Sequence, residues 1–511
     1  MAKIIAYDLG TGGIKASLFN ERGESLASSF QRYETAYPHD LWCEQKPMDW
    51  WNGVCVCTKE LLEKSGAKPG EIDCAALSGH SIVTVPIGKN GELLAESVPI
   101  WCDMRATDVP GDFFREIRYE DWYMTTGNGD PPESYSLFKL MWMKKHQPEL
   151  FNKTVFVLGS KDFINYRLTG ARATDPSYAA SFGVFNLKKW AYEDRFFTAA
   201  GIGRALFADI IPSDARVGAV TAEAAKQTGL LEGTPVACGG VDNMCMALGA
   251  CGIGEGKVYT SLGSSSWIAV TTREPILDIE TLPFVYAHAV PGYYTSAVSI
   301  FSAGNSFRWV HDELLKDVLP VETRFDRMNE MAARVPEGSN GILFNPTLAG
   351  GSAQEKSPNT HGSFYGLSLG TTREDLVRAS MEGVCFALRY VLDILKKHTN
   401  LAGRQMLLCG GGSKSALWRQ MFADIYRMEI LKTNIDQDAA SLGAGALAAN
   451  AQGIFKGYDM IESFHKTEAV EKPRPGQSEK YEALYAVYRE WSESLAWIGD
   501  KMQKLHARGI W

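Results

Sequence analysis

The chain has 511 residues, with 52 Lys+Arg against 60 Asp+Glu for a formal charge of −8, and it is 45 % apolar and 22 % charged. At about 150 residues per domain this length excludes a single small domain and suggests roughly three. Basic residues are scattered, with no run longer than Lys396-Lys397, so the charge pattern offers no footprint for nucleic acid or an anionic membrane.

The N-terminus runs from Lys3 straight into IIAY, without the longer apolar region of a signal peptide. No window of about 18 residues is free of charge and turn formers, so no membrane span is expected. The ten cysteines have neither zinc-knuckle nor Cys-x-x-Cys spacing, and the expectation is reduced thiols in a cytoplasmic protein. Cys55 and Cys57 flank one residue of an expected helix and read as packing.

In chain order, KIIAYDLG is a short β-branched run that reads as a buried strand, followed by the turn TGG, the strand IKASLFN, the turn ERGE and the strand SLASSFQRYET. This is an antiparallel meander. Amphipathic helices then alternate with short strands: MDWWNGVCVCTKELLEKSG and SLFKLMWMKKHQPELF with DCAALSG and TVFVLGS. The class is α/β. DLGTGGIKASLF at Asp8 to Phe19 recurs as SLGSSSWIAVTT at Ser261 to Thr272, starting 253 residues later. Two halves replace three domains, with a boundary between Met244 and Cys251. Near the end, KPRPGQ at Lys472 to Gln477 reads as a linker, and the stretch after it as one terminal helix over about 478–506 whose aromatic stripe is core packing.

Gly10, Thr11, Gly12 and Gly13 form a turn whose amides are free to converge on an anion, and Gly263 to Ser266 form another. Two such turns across a cleft would grip a polyphosphate, although no G-x-x-x-x-G-K-[ST] occurs. Asp8 ends a buried strand, where a charge needs a partner, and magnesium suits a carboxylate beside phosphate. Asp242 stands between the strand TPVACGGV and the small-residue helix NMCMALGA, where it reads either as a helix N-cap or as a general base taking a hydroxyl proton. LLCGGGSKS at Leu407 to Ser415 is a third glycine turn, either a ribose or base platform or a tight helix start.

This order of motifs resembles the FGGY family of carbohydrate kinases, within the actin, hexokinase and heat-shock ATPase superfamily, over essentially the whole chain. SYSLFKLMWMKKH at Ser134 to His146 and GSFYGLSLGTTREDLVRASMEG at Gly362 to Gly383 look like the family's own signatures. LWCEQKPMDWW at Leu41 to Trp51, WCDMR at Trp101 to Arg105 and GGVDN at Gly239 to Asn243 are similar to runs of its xylulokinases. The resemblance implies two ribonuclease-H-like (actin-like ATPase) domains flanking a deep cleft. The N-terminal one, 1–245, would hold the sugar and the C-terminal one, 246–511, would hold ATP. By the same resemblance Asp8 is the magnesium-side acid and Asp242 the base. Thr11, Gly12 and Gly13 lie in the first phosphate loop, Ser264 and Ser265 in the second, and Gly411 and Gly412 beside the adenosine. His80, Asp103 and Asn243 fall at the sugar, although His80 also reads as a satisfied core histidine.

Two stretches depart from the xylulokinase pattern. Gly79, His80, Ser81, Ile82 and Val83 stand where Gln-Met-His-Gly is usual, and AGGSAQEKSP at Ala349 to Pro358 lacks Glu-Arg-Thr-Pro. The resulting expectation is an ATP- and Mg2+-dependent kinase acting on a primary hydroxyl of a ketose or polyol, D-xylulose to D-xylulose 5-phosphate first. Ribulose, erythritol, glycerol and autoinducer-2-type acceptors stay open. The rival from another class is an actin- or chaperone-like nucleotide switch. A homodimer is expected from the family alone.

Overall fold

The computed structural model describes residues 2–351, 355–401, 403, 405–435 and 438–510. Its first seven-stranded sheet begins with the expected meander, Lys3–Gly10, Gly13–Asn20 and Ser25–Arg32, all antiparallel. Parallel to the first strand lies Cys74–Gly79, which pairs in turn with Pro235–Ala237 and, further along its length, with Gly240–Val241. Arg216–Ala219 closes this edge antiparallel to Pro235–Ala237.

The second seven-stranded sheet repeats the plan. Phe284–Ala287, Tyr294–Ile300, Ser266–Thr272 and Lys257–Leu262 form its antiparallel part, and Met406–Cys409 and Ile430–Thr433 follow in parallel. Thr467–Glu471 then closes the edge antiparallel. The repeat read from the two glycine turns is therefore a repeat of whole sheets.

Alternation along the first strand explains the layers: Ile5, Tyr7 and Leu9 enter one apolar core, while Ile4 and Ala6 enter another shared with both halves. That shared core holds the helices Asp242–Cys251 and Ala439–Ala451. They cross almost backbone to backbone. A β-carbon on Gly249 would lie 1.9 Å from the Ala439 carbonyl oxygen, and one on Gly443 would lie 1.9 Å from that of Cys245. Gly249 in the first helix and Gly443 in the second, which is mostly Ala and Gly, are what this approach requires.

The two family-like stretches prove to be framework. In the second, Thr372 and Asp375 form a capping box that starts the helix Arg373–His398. Glu382, buried, accepts hydrogen bonds from Arg378 Nε (2.8 Å), Gly338 N (3.0 Å), Ser339 Oγ (2.8 Å) and the Tyr481 hydroxyl (2.7 Å). Tyr481 lies on the terminal helix, whose Tyr485 and Tyr488 rings pack with it against Phe386, so the aromatic stripe is core. In the first stretch, Lys139 is buried and donates to the carbonyls of Ile82 (3.1 Å) and Ile100 (2.6 Å), tying together the loops after Cys74–Gly79 and before Trp101.

Three local expectations are corrected. SLFKLMWMKKHQPELF is two helices, Ser136–His146 and Pro148–Lys153, because Pro148 pushes Gln147 out of the helical region. The terminal helix spans Pro475–His506, so the second half of the expected linker is its first turn, with Pro475 at the position where its missing N–H costs nothing. The cysteines are not all thiols: Cys43 and Cys102 form a disulfide, and the other eight do not. Among the described residues no helix is long and apolar enough to cross a membrane.

The helix crossing yields a stability test. Gly443→Ala, which forces a methyl group onto a backbone carbonyl, is expected to lower stability by about 2 kcal/mol or more. Gly111→Ala, where a β-carbon meets nothing within 4 Å, should change it by less than about 0.5 kcal/mol. Thermal unfolding of the two variants checks this, and equal midpoints would contradict the close crossing.

Candidate active site

Strand register brings the two candidate acids to one sheet edge. Asp8 pairs across to Ser78, and Ser78 to Gly240; Leu9, Gly79 and Val241 form the next row, and His80 and Asp242 follow immediately after it. Ligands of open parallel sheets collect at this carboxyl edge. Asp8 Oδ1 accepts from Ser78 Oγ at 2.9 Å. Burial pushes its pKa above the usual carboxylate range, against the lowering pull of Ser78 and of the Lys15 cation, its cross-strand neighbour.

Asp242 is the first residue of its helix, and its Oδ1 accepts from Asn243 N at 2.8 Å. The N-cap position is Val241 and no side chain caps the helix, so the N-cap reading of Asp242 is corrected: its carboxylate accepts from the next amide rather than from one further into the first turn. Burial, followed by the charge of Asp8, raises the Asp242 carboxyl to about 7, where proton exchange at neutral pH is easiest.

The chain reaches Asp242 through a constrained path. Gly239 has φ +75°, and a β-carbon there would lie 2.0 Å from the Leu77 carbonyl oxygen. Val241 N donates to Ser177 Oγ (3.0 Å), which donates to Asp175. Asp175 and Asp162 flank the fully buried Lys161 at 3.0 and 2.6 Å, and Lys161 also donates to the Cys238 carbonyl. This buried network holds the strand that leads into Asp242.

The glycine turns differ in length. Gly10 pairs with Gly13 around Thr11 and Gly12, whereas Leu262 pairs with Ser266 around Gly263, Ser264 and Ser265. Thr11 is clamped from both sides, its carbonyl by Gln45 Nε2 (2.7 Å) and its Oγ1 by Trp101 Nε1 (2.9 Å), and the Tyr33 hydroxyl donates to Gly10 O. In the second turn the carbonyls of Gly263 and Ser264 accept from Gly304 N (2.9 Å) and Asn305 N (3.0 Å). The third turn lies beside it, since Ser261 pairs with Cys409. There Gly410 has φ +93° and rests on the Leu262 carbonyl, and a β-carbon on Gly412 would strike the Leu262 side chain at 2.2 Å. Those two glycines serve the helix start. Gly411 is exposed, with nothing within 4 Å of a β-carbon.

The three expected acceptor residues are placed differently. His80 is buried, with Nδ1 3.1 Å from Leu9 O and its ring edge-on to Trp50, and burial holds its pKa down to about 4, so the ring is neutral. Its Nε2 has no hydrogen-bond partner among the described residues. Asp103 is fully buried and already engaged: it accepts from Cys43 N (2.7 Å) and from Arg105 Nε (2.8 Å) and Nη2 (2.7 Å). Asn243, half-buried, follows the base on the helix. In the loop 349–358, Ser352 to Gln354 lie outside the described residues.

Sequence reading missed several members of this site. Lys15 bridges to Asp438, just before the helix Ala439–Ala451, at 2.5 Å, joining the first hairpin to the second half beside Asp8. Gln45, Trp101 and Ser78 also went unread. Among the described residues no group of three or more His, Cys, Asp or Glu could cage a metal. Two desolvated carboxylates in mutual repulsion nevertheless suit Mg2+, which uses one or two carboxylates and fills its remaining positions with water and phosphate oxygens.

Because the folded-state pKa of Asp242 lies above its unfolded value, its proton favours the folded state, and that stability is lost as pH rises from the ordinary carboxylate range through about 7. In the metal-free protein Asp242→Asn should therefore raise the unfolding midpoint at pH 8 and leave it nearly unchanged at pH 4. Thermal scans at the two pH values check this, and a midpoint gain equal at both would contradict the buried charge.

The chain has relatives over nearly its whole length. Residues 3–249 match the N-terminal domain and residues 258–452 the C-terminal domain of the FGGY family of carbohydrate kinases. The chain is 29 % identical over 494 residues to a xylulose kinase of Bacillus subtilis (96 % of each chain), and 26 % identical over 497 residues to a gluconokinase of Bacillus licheniformis (96 % of each). A crystal structure of xylulose kinase from Rhodospirillum rubrum superposes with a TM-score of 0.89 at 27 % identity, covering 98 % of this chain and 100 % of that one. With both domain models matched in order along most of its length, the chain belongs to the FGGY family of carbohydrate kinases, phosphotransferases with an alcohol group as acceptor.

Proposed function

We propose that the protein transfers the γ-phosphoryl group of ATP to a primary hydroxyl of an uncharged ketose, with D-xylulose giving D-xylulose 5-phosphate as the reaction. The observation that carries the chemistry is the desolvated pair Asp8 and Asp242 at the sheet edge from which the Thr11 turn departs. Asp242 accepts the hydroxyl proton as the oxygen attacks. Backbone N–H groups of Thr11, Gly12 and Gly13 on one side and of Ser264 and Ser265 on the other hold the phosphate oxygens and offset the charge that develops on them. Gly411, with open space before it, borders the adenosine, and Asp8 would hold Mg2+. When bound, that ion draws electron density from the phosphate oxygens. Closure of the two halves excludes water that would otherwise take the phosphoryl group.

An uncharged acceptor is favoured over gluconate, whose carboxylate would need a cation. The cations of the acceptor wall are engaged: Arg105 by Asp103 and by Glu44 at 2.6 Å, and Lys139 by two carbonyls. Burial also lowers Lys139 to about 7, which weakens it as a permanent charge. The neutral His80, with its unpartnered Nε2, and Asn243 offer polar contacts suited to hydroxyls. Asp103 acts from behind this wall by fixing Arg105 and the Cys43 amide.

A coupled assay of ADP release across D-xylulose, D-ribulose, erythritol, glycerol and gluconate tests this. D-Xylulose is expected to give a kcat/KM at least about tenfold above every other acceptor. A higher value for gluconate would overturn the assignment.

A further inference from the structure

The disulfide sits where the first phosphate turn is held. Cys43 and Cys102 are 59 residues apart in sequence and 6.0 Å apart at Cα. Cys43 is 2 % exposed, whereas Cys102 is half-buried, so of the two residues Cys102 is the one on the solvent side. The rest of the chain is not a disulfide scaffold, because the remaining eight cysteines are not bonded to one another. In proteins otherwise poor in disulfides, an isolated and accessible one is typically exchangeable.

Its neighbours are the residues that clamp Thr11. Trp101, adjacent to Cys102, donates to Thr11 Oγ1 at 2.9 Å, and Gln45, two residues past Cys43, donates to the Thr11 carbonyl at 2.7 Å. The same two segments carry Asp103, bonded to Cys43 N, and Arg105, which pairs with Glu44 and stacks on Trp42 at 3.7 Å. Trp101 is the weakly supported member: it is 45 % exposed, and Cys102 is the covalent anchor beside it. Gln45, by contrast, is buried, paired in register with Val98 and also bonded to Trp50 Nε1.

We propose that Cys43–Cys102 is a reversible thiol–disulfide site whose exchange partner is a low-molecular-weight thiol of the glutathione class, and that its disulfide form fixes Trp101 on the Thr11 turn and so completes the phosphate grip. In reduction, a thiolate attacks Cys102 Sγ, the protein S–S bond breaks, and Cys43 leaves as a thiolate that takes a proton. A second thiolate then attacks the mixed disulfide at the small-molecule sulfur, releasing Cys102 as a thiol and the small-molecule disulfide. Two small thiols are oxidised and one protein disulfide is reduced, a transfer of two electrons. The reverse sequence restores the bond. The backbone hydrogen bonds Ile100 N to Cys43 O (3.0 Å) and Met104 N to Leu41 O (2.8 Å) survive reduction, so the wall stays folded and the change is confined to Trp101 and the turn.

This inference rests on the reading of the Thr11 turn as a phosphate loop, and its test needs no acceptor. The full-length protein is equilibrated with glutathione disulfide or with dithiothreitol, and non-reducing mass spectrometry establishes the Cys43–Cys102 state in each. Calorimetric titration with Mg2+ and a non-hydrolysable ATP analogue then reads affinity. The oxidised protein is expected to bind about fivefold more tightly, the effect of one neutral hydrogen bond. The Cys43→Ser/Cys102→Ser variant should bind like the reduced protein in both buffers. Trp101→Phe, which keeps the disulfide and lacks the donor, should lose the redox dependence. Equal affinity of the two confirmed states overturns the proposal, as does redox dependence that persists in the double Ser variant or in Trp101→Phe. If neither state binds the analogue, the phosphate-loop reading fails and the proposal falls with it.

Discussion

Two carboxylates, Asp8 and Asp242, are held at one sheet edge with too little water to ionise freely together, and the surrounding structure is organised around keeping them there. Burial raises both, and Asp8 adds its charge to the burden on Asp242. Such an arrangement costs stability and persists only where the backbone is over-determined. Here it is. Gly239 is pressed onto the Leu77 carbonyl, Val241 is hydrogen-bonded to Ser177, and Lys161 between Asp162 and Asp175 anchors the strand from within. On the proposed function, a divalent cation and a phosphate chain would relieve this repulsion.

The duplicated sheet turns this local arrangement into a two-sided one. Each half ends its first hairpin in a glycine turn at the carboxyl edge, and the two halves meet through the crossing of Asp242–Cys251 with Ala439–Ala451. Because Gly249 and Gly443 let the backbones touch, that crossing is short and stiff. Asp242 begins one of these helices and Asp438, the partner of Lys15, precedes the other, so the candidate site and the contact between the halves share the same elements. The halves are not copies in detail: the first turn has two residues between its paired ends and the second has three.

What the sequence made legible was local. The meander, the repeat of Asp8 to Phe19 at Ser261 to Thr272, the acid at a strand-to-helix junction and the glycine turns all lie within short windows, where periodicity and turn chemistry act. Contacts made by distant residues left no such mark. Gln45 and Trp101 reach Thr11 across 34 and 90 residues, and Ser17 reaches Asp438 across 421. The Cys43–Cys102 pair has a spacing of 59 that matches no motif, which is why the cysteines read as thiols. Asp103 was legible as a resemblance, but its engagement by Cys43 depends on two segments, 60 residues apart, meeting in space. The family-like run around Glu382 was recognisable and yet structural, since it holds the helix Arg373–His398 to the terminal helix.

The central claim is that Asp242 serves as the base of this kinase and does more than start a helix. Its sharpest test is the steady-state rate of Asp242→Asn beside calorimetric binding of an ATP analogue. The asparagine keeps the side-chain oxygen that accepts from Asn243 N, and so retains that hydrogen bond. It is expected to lose about a thousandfold in kcat while its nucleotide affinity stays within about twofold of the parent. A variant that turns over near the parent rate would contradict the account.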